Sequence, residues 1–133
     1  MPDQSFDSIK VMVIDDDDML SQTAIVRIVE NLGASVELVA QNGREALELL
    51  QESEVSIHLI ICDIEMPEMD GFEFARRLRY GTIPERKDIP ILMLTGHASD
   101  ENVRKGRIHK INGFIVKPVM TDTLRSYMTR LFG

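Results

Sequence analysis

Cysteine is almost missing from this chain. Cys62 is the one cysteine among 133 residues, so no internal disulfide can form and no cysteine-rich metal site can be built. Long apolar runs are missing as well: the longest are about six residues, far below the roughly 20 needed to span a bilayer. The opening Met1-Pro2-Asp3-Gln4 is polar and acidic, unlike a secretory signal, so a cytoplasmic protein is expected. Linkers, internal repeats and low-complexity stretches are absent too. Basic residues are scarce in the first half. Residues 1–70 hold 3 Lys/Arg against 16 Asp/Glu, a balance of −13; residues 71–133 hold 12 against 6, a balance of +6, and the whole chain carries −7. A pI near 4.9 argues against direct nucleic-acid binding. An acidic half suits a metal cation, although on composition alone a solvated acidic surface is the plainer reading.

What is present is ordinary for a globule. Hydrophobic residues make up 44% and charged residues 28%, which excludes a disordered chain. The length suits one domain, at roughly 150 residues each, and such a domain can bury about two-thirds of its unfolded surface without disulfides.

Four apolar runs end abruptly in polar residues. Val11-Met12-Val13-Ile14 ends in Asp15 to Asp18, Ile57 to Cys62 in Asp63, Ile89 to Leu94 in Thr95-Gly96, and Phe114-Ile115-Val116 in Lys117-Pro118. Such runs suit strands buried on both faces of a parallel sheet. Ser35 to Val39 alternates instead, as a half-exposed edge strand does. Helical patterns lie between them. Leu20, Ala24, Ile28 and Leu32 form a stripe stopped by Gly33; Ala46, Leu47 and Leu50 form a second; Phe72, Phe74, Ala75 and Leu78 form a third, closed by Gly81. Ser99 to Ile108 is the weakest helix, with Gly106 inside it, and Leu124, Met128 and Leu131 mark the last, with Thr121 expected as its N-cap. Five βα units imply right-handed crossovers and helices on both faces of the sheet.

In such a sheet, ligands bind at the carboxyl ends of the strands, near a switch in strand order. Asp15, Asp16, Asp63, Thr95 and Lys117 stand at four of those ends. Each alone has a structural explanation, such as a capping turn. Together they form a chemical set. Carboxylates a few ångströms apart repel by about 4 kcal/mol per pair at an effective dielectric near 20, so a cation is needed to gather them. Hard oxygen ligands suit Mg²⁺ or Mn²⁺. A lysine can hold a phosphoryl group as a point charge, a threonine hydroxyl can donate to it, and one aspartate can act as nucleophile.

Val13-Ile14-Asp15-Asp16-Asp17, Ile61-Cys62-Asp63-Ile64-Glu65-Met66-Pro67-Glu68-Met69-Asp70-Gly71, Leu94-Thr95-Gly96 and Phe114-Ile115-Val116-Lys117-Pro118 resemble the signatures of the response-regulator receiver domain. The resemblance runs from about Ser8 to Phe132, with residues 8–133 as the receiver and 1–7 as a short polar lead. It implies a flavodoxin-like three-layer (βα)5 sandwich, doubly wound, with a five-stranded parallel sheet of order 2-1-3-4-5. It also implies Asp63 as phosphoacceptor and Mg²⁺ on Asp16, Asp63 and the backbone carbonyl of Glu65, with Asp15 acting largely through water. Thr95 and Lys117 would hold the phosphoryl oxygens, Thr95 and Phe114 would form the switch, and Met66, Pro67, Asp70 and Gly71 would shape the loop after the third strand. Glu65 and His97 would flank the path of the attacking water and tune autodephosphorylation, and Pro118 would follow a cis peptide. The implied donor is a sensor histidine kinase or a histidine phosphotransfer protein. The output would go to a downstream protein, a fused domain or a second copy, through the face made by the fourth helix, fifth strand and fifth helix. Neither nucleic acid nor a membrane is expected as a direct partner. The protein would be a phosphoacceptor that assists its own phosphorylation and slow dephosphorylation, not an enzyme in the ordinary sense.

Three departures stand out. Gly96 replaces a commoner Ala, which loosens the loop. Lys110 occupies a usual Gly position, so the fourth helix is expected to end differently. Tyr80 to Asp88 is longer and more charged than the usual link. With no hydroxyl on Phe114 and a loosened loop, a leaky switch is expected. An EF-hand is excluded because the stretch starting at Asp16 lacks Gly at its sixth position and Glu at its twelfth. A haloacid-dehalogenase-type phosphatase would use Asp15 and Asp17, but the chain lacks room for a cap domain, and that reading leaves Asp63 unexplained. A receiver-fold binding module working without phosphorylation is the remaining alternative.

Overall fold

The computed structural model describes residues 6–16, 19–81, 83–96 and 99–133. Its elements alternate: β1 (Lys10–Ile14), α1 (Met19–Asn31), β2 (Ser35–Ala40), α2 (Gly43–Glu52), β3 (Leu59–Asp63), α3 (Gly71–Tyr80), a 3-10 turn (Pro84–Arg86), β4 (Ile91–Thr95), α4 (Asp100–Ile108), β5 (Gly113–Val116) and α5 (Thr121–Phe132). The strands form one sheet in the order β2-β1-β3-β4-β5, and every pairing is parallel.

The unbroken apolar runs divide between the two faces. Met12, Ile14, Ile60, Cys62, Ile91 and Met93 pack toward α2 and α3, with Ala46, Leu50, Phe72, Phe74 and Leu78. Val11, Val13, Leu59, Ile61, Leu92, Leu94 and Ile115 pack toward α1 and α5, with Ile25, Val29, Leu124 and Met128. Successive strand residues point to opposite faces, so a strand covered on both sides must be apolar throughout. β2, at the edge, keeps its alternation of half-buried and exposed positions.

Several expectations are corrected. The α1 stripe is rotated: Leu20 is 80% exposed and Ala24 is exposed, while Ile25, Val29 and Leu32 are buried. A helix turns once in 3.6 residues, so a strict four-residue spacing precesses off the buried face. Phe6, within the stretch read as a polar lead, is 2% exposed and packs beneath α1 and α5. Thr121 is the first helical residue of α5; Met120 holds the N-cap position, with no side-chain cap. His58 precedes β3, and its Nδ1 accepts a hydrogen bond from the Lys10 backbone N–H at 2.9 Å.

The end of α4 is also unlike the expectation. Lys110 adopts the left-handed conformation itself, at φ 59°. The Ile111 N–H donates to Gly106 O at 2.8 Å and the Lys110 N–H to Arg107 O at 3.4 Å, the Schellman pairing usually closed by glycine. One compensation is at hand: the Arg79 guanidinium donates to Lys110 O at 3.0 Å. The same buried guanidinium holds Lys87 O and Ile89 O at 2.7 and 2.8 Å. Arg86, also buried, donates to Leu50 O, Val55 O and Ser53 O. The charges in the Tyr80–Asp88 link therefore include a buried staple that satisfies backbone carbonyls, a role with no periodic signature in a sequence.

Candidate functional site

The carboxyl ends of β1, β3, β4 and β5 converge on one cleft of about 650 Å³, lined by Asp16, Asp63, Glu65, Thr95, Gly96 and Lys117 among others. Asp15 follows β1, its N–H bonded to Ala40 O at 3.0 Å. Its side chain is fully buried and accepts from Ser21 Oγ at 3.0 Å. Gln22 Nε2 donates to the Asp15 backbone oxygen at 3.3 Å. These two α1 residues were not singled out from the sequence; the only signal was their place in the helix after the acidic run. Asp63 ends β3 and is 2% exposed, Thr95 ends β4, and Lys117 follows β5 with its N–H on Thr95 O at 2.8 Å.

The loop after β3 is shaped by close packing. Gly71 N–H donates to Ile64 O at 2.7 Å, and a Cβ on Gly71 would lie 2.5 Å from Asp63 O and 2.9 Å from Met93 Sδ. Only glycine lets the start of α3 approach Asp63 so closely. Asp70 caps that helix, accepting from the Glu73 N–H at 2.8 Å. Met66 and Pro67 lie on this loop, where Glu68 adopts φ 67°. The Lys117–Pro118 peptide is cis.

The electrostatics follow from burial. Lys117 Nζ lies 2.7 Å from Asp63 Oδ1. The contact is an ion pair when Asp63 is ionised; neither Asp63 carboxylate oxygen accepts a hydrogen bond of good geometry among the described residues. Burial first, and then the neighbouring Asp15 carboxyl, push the Asp63 carboxyl up to about 8, with Lys117 opposing. Cys62 is buried, and burial, with the Asp63 charge next, pushes its thiol up, so it stays protonated. Its Sγ donates to Asp63 O at 3.2 Å.

Asp15, Asp16 and Asp63 each offer a carboxylate oxygen, all within 4.8 Å of one another. The two buried Asp63 oxygens, which accept no hydrogen bond of good geometry among the described residues, are set among hard carboxylate donors and fit a small divalent cation.

The arrangement is matched by a family model. The response regulator receiver domain matches residues 11–129. The chain belongs to this family. Receivers are phosphorylation-controlled signalling switches of two-component systems, distinct from ordinary enzymes, and they generally bind Mg²⁺ at an acidic site. Among solved structures, this receiver is similar to the chemotaxis protein CheY4 of Vibrio cholerae, with 34% identity and a TM-score of 0.78 over 93% of this chain and 98% of that one. It is also similar to the signal receiver domain of a signal transduction histidine kinase from Syntrophus aciditrophicus, with 31% identity and a TM-score of 0.76 over 92% of this chain and 88% of that one. A cyclic di-GMP phosphodiesterase response regulator, RpfG, of Xanthomonas campestris is 34% identical over 90% of this chain. The chain spans 31% of that relative's length, and 18% of the length of the Arabidopsis thaliana two-component response regulator ARR12, to which it is 31% identical.

The expected switch aromatic lies apart from the cleft lining. Phe114 is half-buried on the α3 side, its ring 6.3 Å from that of Phe72. His97 lies outside the described residues. Glu65 lines the cleft and is exposed.

Proposed function

We propose that Asp63 accepts a phosphoryl group from a phosphohistidine of a histidine kinase or histidine phosphotransfer protein, within a receiver unit of residues 8–133. The observation that carries this is the Asp63 carboxylate itself: buried at a strand end, accepting no hydrogen bond of good geometry among the described residues, and faced by Lys117 in an open cleft.

One Asp63 oxygen attacks phosphorus; the N–P bond breaks, and its electron pair returns to the donor imidazole, which takes up a proton. The nucleophile must be ionised, which burial opposes. Mg²⁺, held by Asp16, Asp63 and the Glu65 carbonyl, with Asp15 acting through water, would supply the positive charge that favours the carboxylate and the gathering phosphoryl oxygens. Lys117 then moves its ammonium from Asp63 to a phosphoryl oxygen, and the Thr95 hydroxyl donates to another. Glu65 and His97 tune the later attack of water.

The donor has a surface to meet. Ala24, Ile25, Ile28, Pro118 and Val119 form an apolar groove that shares Lys117 with the cleft, and Leu20 stands exposed on the same helix. Output through α4, β5 and α5, to a downstream protein, a fused domain or a second copy, is supported by Ile108, Val116 and Met120, which are 67%, 46% and 61% exposed.

Acetyl phosphate with Mg²⁺ should label the protein stoichiometrically, and the label should be lost at alkaline pH, as an acyl phosphate is. Asp63→Asn should abolish labelling. Persistent label on that variant moves the phosphoacceptor elsewhere.

A further inference from the structure

Gly106 sits in the interior of α4 and is buried. Glycine is among the least favourable residues for a helix interior, and α4 has little apolar surface to offset it. The return is tertiary. A Cβ on Gly106 would lie 2.5 Å from Phe114 Cζ and 2.7 Å from Phe114 Cε2. The ring therefore occupies the space that any side chain at 106 would need. Phe72 of α3 forms another wall, and Ile111 lies close by, with its Cβ 3.4 Å from the same point.

The backbone beneath the ring is fixed. Phe114 pairs with Met93 across β4–β5, and the Tyr127 hydroxyl donates to Phe114 O at 3.0 Å. The freedom left to Phe114 is rotation of its side chain. Thr95 lies two residues beyond Met93 and pairs with Val116. Thr95 and Phe114 therefore face the same side of the sheet as diagonal neighbours on adjacent strands, within reach of an aromatic side chain.

We propose that Gly106 is the positioning residue of the switch: the notch left by its missing side chain seats the Phe114 ring against α4 in the orientation that the phosphorylated state keeps, and so couples the place of α4 to the state of Asp63. The proposal rests on Asp63 being the phosphoacceptor. A Thr95 hydroxyl drawn toward a phosphoryl group vacates space beside β5. A seated ring fills that space, whereas a ring displaced by a methyl group at 106 leaves it empty. Because coupling is reciprocal, unseating the ring must weaken binding at Asp63.

The test is a cycle of Gly106→Ala, Phe114→Ala and the double variant, read by urea unfolding and by titration with beryllofluoride and Mg²⁺, following backbone amide signals by NMR. Gly106→Ala alone should lower the urea midpoint. In the Phe114→Ala background it should raise it, since alanine is the better helix former. Gly106→Ala should also weaken beryllofluoride binding by roughly 5-fold or more, and it should leave the affinity of Phe114→Ala unchanged. An equal loss of midpoint in both backgrounds refutes the seat. A sign reversal in urea with unchanged beryllofluoride affinity refutes the coupling. Wild-type protein that ignores beryllofluoride overturns the phosphoacceptor reading, and the coupling with it, while the urea cycle still reads the seat by itself.

Discussion

The ammonium of Lys117 closes on Oδ1 of Asp63 at 2.7 Å across the mouth of the cleft. The two residues come from the ends of strands that are not adjacent, with β4 between them. The lysine is 26% exposed and the aspartate 3% at the side chain, so one partner reaches solvent while the other does not. A buried carboxylate beside other carboxylates is held as an anion only by what faces it.

Stability should depend on pH through Asp63. Unfolded, its carboxyl titrates near 3.9; folded and without metal, near 8. Between those values the unfolded chain has released a proton that the folded chain keeps, so metal-free stability falls as pH rises from about 4 to 8. Below about 4 both states are protonated and the contribution vanishes. Asp63→Asn should flatten this slope and stabilise the metal-free protein at pH 8, on the order of a few kcal/mol. Urea unfolding in chelator at several pH values checks it; parallel slopes for the two proteins would contradict it.

Metal should reverse that penalty. Mg²⁺ should raise the urea midpoint of the wild type in proportion to the logarithm of its concentration once above the dissociation constant. Asp16→Ala should shift this response to at least ~10-fold higher Mg²⁺. The same variant, with one carboxylate fewer in the cluster, should be no less stable than the wild type without metal. An unchanged metal response would place the ion away from Asp16.

Two glycines should behave oppositely. Gly71→Ala forces a methyl group against Asp63 O, Met93 Sδ and Ile64 Cα. It should cost about 2 kcal/mol or more and slow phosphorylation. Gly96→Ala meets nothing within 4 Å and should change stability by less than about 0.5 kcal/mol. Thermal melts of the two variants decide, and equal melting temperatures would be the contrary result.

Buried and exposed arginines on the same helix should separate as well. Arg79→Met leaves the carbonyls of Lys87, Ile89 and Lys110 without their donor. It should cost about 2–3 kcal/mol. Arg76→Met removes a solvent-facing pair with Glu73 and should leave the melt unmoved. Chemical denaturation of both variants measures the difference.

Much of the architecture was determined by local pattern. Strands covered on both faces must be apolar throughout, so Val11–Ile14 and Ile57–Cys62 were legible as runs that stop abruptly, the second starting two residues ahead of the strand itself, and the stops of such runs marked the rim where Asp15, Asp16, Asp63, Thr95 and Lys117 stand. The strand order came from the family resemblance, and the sheet bears it out. What only the tertiary structure decided depends on contacts between distant segments. The buried face of α1 was one such case, because a helical stripe has to be phased against a sheet that the stripe itself does not encode. The left-handed Lys110 was another: its carbonyl is held by Arg79, 31 residues away. Ser21 on Asp15, and Phe114 in the notch at Gly106, are near in sequence, but they too are set by how a helix meets a strand. Periodicity reports which side of an element is apolar; which atoms then meet is settled by packing at a density that leaves no room for a Cβ in the wrong place.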